Sequence, residues 1–180
     1  MRTHQQPIND ASTHSPASLF GGAMSDMFVK IDGIAGESKD EFHPNEIEVN
    51  SWRWKMEQLS SMLTGASPGA PKATIVDLQF VHQIDRSSPN LMRYCLTGRR
   101  IPTAVLTTRK AGGVPMDFLK ITMENVVITS VEPIVFDNSY FEHVSMSFSR
   151  VKQEYKLQGG AGTSAGTVTA SFDIKENREQ

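Results

Sequence analysis

Asp26-Met27-Phe28-Val29-Lys30-Ile31 sets the period that most of the chain repeats. Met27, Val29 and Ile31 alternate with Phe28 and Lys30, and a repeat of two places successive side chains on opposite faces of a strand. After a Gly33/Gly36 loop the period returns at Ile47-Glu48-Val49 and again at Trp52-Arg53-Trp54-Lys55-Met56. There the apolar set moves from odd to even numbers. One strand changes parity only by taking in an extra residue, so a β-bulge is expected near Asn50-Ser51, the alternative being two short strands with a kink. Trp52 and Trp54 then share a face. With Met56 beside them they read as a core or interface pair in preference to a sugar-stacking platform.

Working outward, Val76, Leu78, Phe80 and Ile84 alternate. Residues 103–110 and 116–125 read as a hairpin across the Gly112-Gly113 turn, with a further strand through 126–131. Val144, Met146 and Phe148 alternate before Val151 and Tyr155 take the opposite phase, which predicts a second bulge or bend. Val168, Ala170, Phe172 and Ile174 alternate with polar neighbours, the pattern of an antiparallel strand with one face buried. A single helix is expected, capped by Ser88, with Pro89 at its first position and Gly98 past its end. Leu91, Met92, Cys95 and Leu96 would form its apolar stripe and make it a lid or plug. Seven or eight strands and one helix predict an all-β fold: two packed antiparallel sheets forming a β-barrel or sandwich with one short flanking helix. Strand–helix–strand alternation is missing, which excludes a doubly wound nucleotide-binding fold.

Residues 1–23 are polar, contain two prolines and show no period, so they are expected to be a disordered N-terminal tail, a tag or an extended start. Residues 24–180 are expected to form one domain. Within it, 59–72 (LSSMLTGASPGAPK) is a long connection, and connections of that length are usually functional or disordered. Met62 and Leu63 give it an apolar tip between polar flanks, so Met62, Leu63 and Thr64 are the candidate subunit-interface residues.

Eighteen basic residues against 20 acidic ones, a net charge of −2, leave no electrostatic footprint for nucleic acid. Arg99-Arg100 and Arg109-Lys110 read as solvated surface. No run approaches the ~20 apolar residues of a membrane helix, so no membrane insertion is expected, and no apolar segment follows Arg2 as a secretory signal requires. One cysteine, Cys95, cannot form an internal disulfide, and on the helix stripe it reads as a small buried hydrophobe.

Gly162-Thr163-Ser164-Ala165-Gly166 matches the pattern of a hydrolase nucleophile elbow. That motif needs a following helix and a later histidine, whereas here a strand pattern follows and the last histidine is His143. The five histidines, at 4, 14, 43, 82 and 143, have no ligand-like spacing; His82 reads as a hydrogen-bonded core residue and His43 as part of a turn. No catalytic residue, metal site or cofactor is expected, and the chain reads as a protein that binds other proteins, itself included.

Four stretches resemble the Hcp (haemolysin-coregulated protein) family of type VI secretion. They are 26–31 with 36–40, Ile47-Glu48-Val49 leading to Trp52-Arg53-Trp54, 77–80 with 84–91, and Arg109-Lys110-Ala111-Gly112-Gly113. The resemblance runs in order from Ser25 to Ile174, and the 59–72 loop departs from the glycine-rich family versions. It implies a non-enzymatic structural subunit of the secretion tube, forming hexameric rings that stack, are expelled and carry effector cargo in the lumen. Its implied partners are further copies of itself, a VgrG spike, a contractile sheath and effector proteins. It also implies a Gram-negative bacterium, with the protein in the cytoplasm before firing and outside the cell afterwards. The rival classes are a small-ligand-binding β-barrel and a cargo-type effector enzyme.

Overall fold

Residues 116–136 form a single strand, β7 (Met116–Phe136), whose two halves have different neighbours. A computed structural model describes residues 26–58, 73–110, 115–159 and 164–179. The other described strands are β1 (Asp26–Ile31), β2 (Ile47–Arg53), β3 (Met56–Glu57), β4 (Thr74–Ile75), β5 (Leu78–Gln83), β6 (Ile101–Lys110), β8 (Ser139–Ser147), β9 (Arg150–Gln158), β10 (Ser164–Asp173) and β11 (Arg178–Glu179). The helix α1 spans Ser88–Thr97.

The first half of β7 pairs with β6 on one side and β9 on the other; the second half, from Val127, pairs with β8. The change falls at Asn125, which takes a left-handed φ of 53° and donates its side-chain amide to Ser149 Oγ at 2.9 Å. Asparagine tolerates that conformation, and the kink swings the strand from one set of partners to the next. The 126–131 segment is therefore the continuation of β7 and not a separate strand.

Because β7 reaches both β6 and β8, the ladder β7-β6-β1-β2-β5-β8 returns to β7 and closes a six-stranded antiparallel barrel. Its interior is filled by Val29, Ile47, Leu78, Phe80, Leu106, Ile121, Met123, Val144 and Met146, each at most 1% exposed. Strands β9, β10 and β11 extend from the first half of β7 as a wing outside the closed ring. Strands β3 and β4 form a two-residue ribbon leading into and out of 59–72.

The β2–β5 register shifts between Val49 and Ser51, which is the bulge expected from the parity change. The second phase change is the end of one strand and the start of the next: Phe148 and Ser149 turn a corner between β8 and β9. Ser87, one residue earlier than expected, is the N-cap of α1, and Gly98 ends the helix at φ 60°. The helix stripe is corrected as well. Leu91 and Tyr94 enter the core, whereas Met92 and Leu96 are exposed and Cys95 is half-buried. Residues 1–23 and the 59–72 loop lie outside the described residues.

Candidate assembly surface

Phe28 was expected to face away from the core, and it does, yet it is buried. The 32–46 segment folds over it. His43 stacks on the Phe28 ring at 4.4 Å between centroids, and the guanidinium of Arg109 lies over the same ring at 5.1 Å. Arg109 donates to both carboxylate oxygens of Asp40 and to Asp26 Oδ2 at 3.1 Å. His43 Nδ1 faces Glu46 Oε2 at 3.0 Å and Nε2 faces Asp117 Oδ1 at 3.2 Å. The Arg109 hydrogen bonds, with the Phe42 and His43 backbone amides, hold the Asp40 carboxyl well below the usual carboxylate range; Asp40, followed by Asp26, raises Arg109 in turn. The segment closes on itself at Gly36, where an added Cβ would sit 2.3 Å from the Glu46 carbonyl oxygen, so only glycine fits. Arg109 is thus no solvated surface arginine and His43 no simple turn residue. Sequence reasoning missed them because their partners, Asp40, Asp26 and Asp117, are distant in the chain.

One mouth of the barrel carries a second buried polar group. His82 is fully buried; its Nε2 donates to Glu142 Oε2 at 3.2 Å, and its Nδ1 lies 4.0 Å from Asp85 Oδ1. Asp85 accepts from the Ser87 amide at 2.8 Å and from the Ser87 hydroxyl, fixing the start of α1. The expectation of a hydrogen-bonded core histidine holds. Ile84, placed on that buried face, is 44% exposed because it lies past the end of the barrel. Tyr140 and Val135, paired across β8 and β7, are exposed beside it, and the Ile84 amide donates to the Tyr140 carbonyl at 3.1 Å. These three continue the interior face beyond the mouth as an apolar row.

The wing exposes a second apolar surface. Tyr155 and Val168 are paired, Leu157 follows opposite Gly166, and the three are 40%, 60% and 43% exposed. The alternation through 168–174 is present, but its apolar face is only half-covered at Phe172 and Ile174 and open at Val168. The barrel core ends before the strand does. At the opposite mouth Trp52 and Trp54 pack against the core half-buried, Trp54 at 5.6 Å from Phe148, while Met56 is exposed on the ribbon. They are less deeply buried than expected, since β2 ends between them at Arg53. Val76 lies outside β5 and is exposed too.

Ser164 opens β10, and the strand continues through Gly166 at φ 136°, so no helix follows the serine as a nucleophile elbow requires. Among the described residues no group of His, Cys, Asp and Glu is placed to hold a metal ion. Met62, Leu63 and Thr64 lie outside the described residues.

Residues 28–155 match the family described as type VI secretion system effector, Hcp. The chain belongs to the Hcp family. It is 40% identical over 156 residues to protein hcp1 of Pseudomonas aeruginosa, covering 84% of this chain and 96% of that one. Hcp1 of Salmonella typhimurium is 45% identical with a TM-score of 0.73, over 87% of this chain and 99% of that structure. A type VI secretion system effector from Yersinia pestis is 37% identical with a TM-score of 0.70, over 83% and 100%. Hcp is a structural, secreted tube protein and not an enzyme. Type VI secretion Hcp proteins are secreted by Gram-negative bacteria. No helix among the described residues is long and apolar enough to cross a membrane.

Proposed function

We propose that this chain builds the inner tube of a type VI secretion apparatus, as hexameric rings that stack, are expelled and carry effector cargo in the lumen. The VgrG spike, the contractile sheath and the effectors are its partners in this reading. The protein waits in the cytoplasm before firing and is outside the cell afterwards. The wing carries the proposal. Strands β9 and β10 pair along their length yet stand outside the closed barrel, with Tyr155, Leu157 and Val168 exposed on one face. Among the described residues no strand pairs with the outer edge of β10 between Thr167 and Ala170. An apolar face bordered by an open strand edge is a template for pairing with another chain. A ring meets this need by head-to-tail contacts in which one surface meets a different surface of the next copy.

Light scattering on the purified protein tests the reading. A mass of six chains is expected, and a monomer at every concentration overturns it. Leu157→Asp combined with Val168→Asp should leave the circular dichroism spectrum unchanged and yield monomers. Intact rings from that variant would exclude the wing as the lateral contact.

A further inference from the structure

A cavity of about 370 Å³ lies on the outer face of the sheet, floored by β6 and walled by the 32–46 segment and the wing. The strand register brings three lysines to it. Lys30 pairs with Val105, Lys120 with Thr107 and Lys156 with Thr167, and all six residues line the cavity. The three lysines are exposed and make no ion pair among the described residues. Thr107 is only 5% exposed, yet its hydroxyl makes no hydrogen bond among the described residues. A buried hydroxyl without a partner is costly, and here it borders open space that a ligand can fill.

We propose that this cavity binds a nucleoside monophosphate. A phosphomonoester carries a charge of about −1.5 to −2 at neutral pH, which three free ammonium groups match, and the Thr107 hydroxyl adds an uncharged donor. Three carboxylates also line the cavity, but each already has a partner: Glu154 pairs with Lys152 at 3.0 Å, and Glu46 and Asp117 each face a ring nitrogen of His43 through one oxygen. The second oxygens of Glu46 and Asp117 have no hydrogen bond among the described residues and can accept from ribose hydroxyls. Phe42, 66% exposed at the rim, offers a flat base a ring to stack on. The volume falls within the range of about 300–1,000 Å³ that holds small ligands. Lys156 and Thr167 point away from the face that carries their chain neighbours Tyr155 and Val168, since successive strand side chains alternate. The site is thus separate from the apolar wing face and does not rest on the tube reading. A bound nucleotide would touch β1, the 32–46 segment, β7 and β9 together, fastening the wing to the barrel.

Isothermal titration calorimetry of the full-length protein with adenosine monophosphate, adenosine and inorganic phosphate tests this. The monophosphate is expected to saturate one site per chain and to raise the melting temperature, with adenosine and phosphate each binding more weakly. Lys120→Met and Lys156→Met keep the aliphatic stems and remove the charges. Each should weaken the monophosphate about tenfold, the size of one lost charge-assisted contact, with the circular dichroism spectrum and the light-scattering mass unchanged. Phe42→Ala should weaken the monophosphate and leave phosphate binding as it was. No saturable heat and no rise in melting temperature with the monophosphate overturns the proposal. So does binding that both lysine variants leave intact, which would place the ligand elsewhere on the chain. Inorganic phosphate binding as tightly as the monophosphate would overturn the nucleoside assignment, since Phe42 would then contribute nothing.

Discussion

Arg109 on the barrel and Arg150 at the root of the wing make the same kind of contact in different surroundings. Arg109 grips Asp40 through two nitrogens and reaches Asp26 at 3.1 Å, with 7% of its side chain exposed. Arg150 reaches Asp173 at 3.1 Å and Glu124 at 3.0 Å, but 48% of its side chain is exposed. The hydrogen bonds that Arg150 donates to Asp173, then to Glu124, raise it above its ordinary value; the one donated by the Glu176 amide, ahead of that from Arg150, lowers Asp173. Both arginines have two carboxylates, yet only Arg109 has an aromatic floor and a covering segment. Water screens an exposed pair and leaves it little net worth, whereas removing one member of a buried pair strands the other. The same contrast separates the two regions. The barrel is closed on itself and filled, while the wing keeps its apolar face open and depends on whatever covers it.

Substitutions can break this contrast, beginning with the barrel interior. Phe80→Ala should cost about 3–5 kcal/mol in urea unfolding, because a buried aromatic leaves both its transfer energy and a cavity. A loss under about 1 kcal/mol would show that the barrel collapses around the gap and is not the rigid half of the comparison.

Arg109→Leu comes next, at about 3 kcal/mol at neutral pH, since Asp40 and Asp26 lose their shared cation. Its pH dependence sharpens the point. Asp40 titrates below its ordinary range when folded. Its contribution is therefore fully present above the unfolded carboxylate value of about 4 and fades as pH falls below it. The stability gap between wild type and Arg109→Leu should narrow below about pH 4. A gap that stays constant down to the acid limit would assign the loss to packing on Phe28 instead of to the ion pair.

Arg150→Leu should have the smallest effect, a melting-temperature drop well short of that of Arg109→Leu and smaller still at high salt, where exposed pairs are screened. Equal drops for the two arginines would erase the distinction between barrel and wing.

Much of this was legible along the chain. Period-two alternation identified the strands, the parity change at Asn50-Ser51 located the bulge, and Ser88-Pro89 with Gly98 marked the helix to within a residue. Local rules succeed where the deciding interaction is local. They failed at Arg109 and His43, whose burial comes from the 32–46 segment crossing another part of the sheet. They failed at Met92 and Leu96 because helical spacing says which residues share a face, not how much of that face a neighbour covers. Along β10 the alternation was read correctly and the burial was not, since alternation marks a face without saying what lies against it.

The sequence by itself determined the class of fold, the absence of an elbow helix after Ser164, and membership of the Hcp family. Each depends on side-chain period or on motifs preserved in order, and both are properties of the chain read one residue after another. Only the tertiary structure decided that the sheet closes, because closure rests on Asn125 redirecting one long strand from β6 and β9 to β8. It alone also decided which apolar residues are left over. Ile84 and Val168 read like core residues, and with Val135, Tyr140 and Leu157 they are exposed because the strands bearing them outrun the barrel they build. Burial is a sum over neighbours distant in sequence, so no local pattern can supply it.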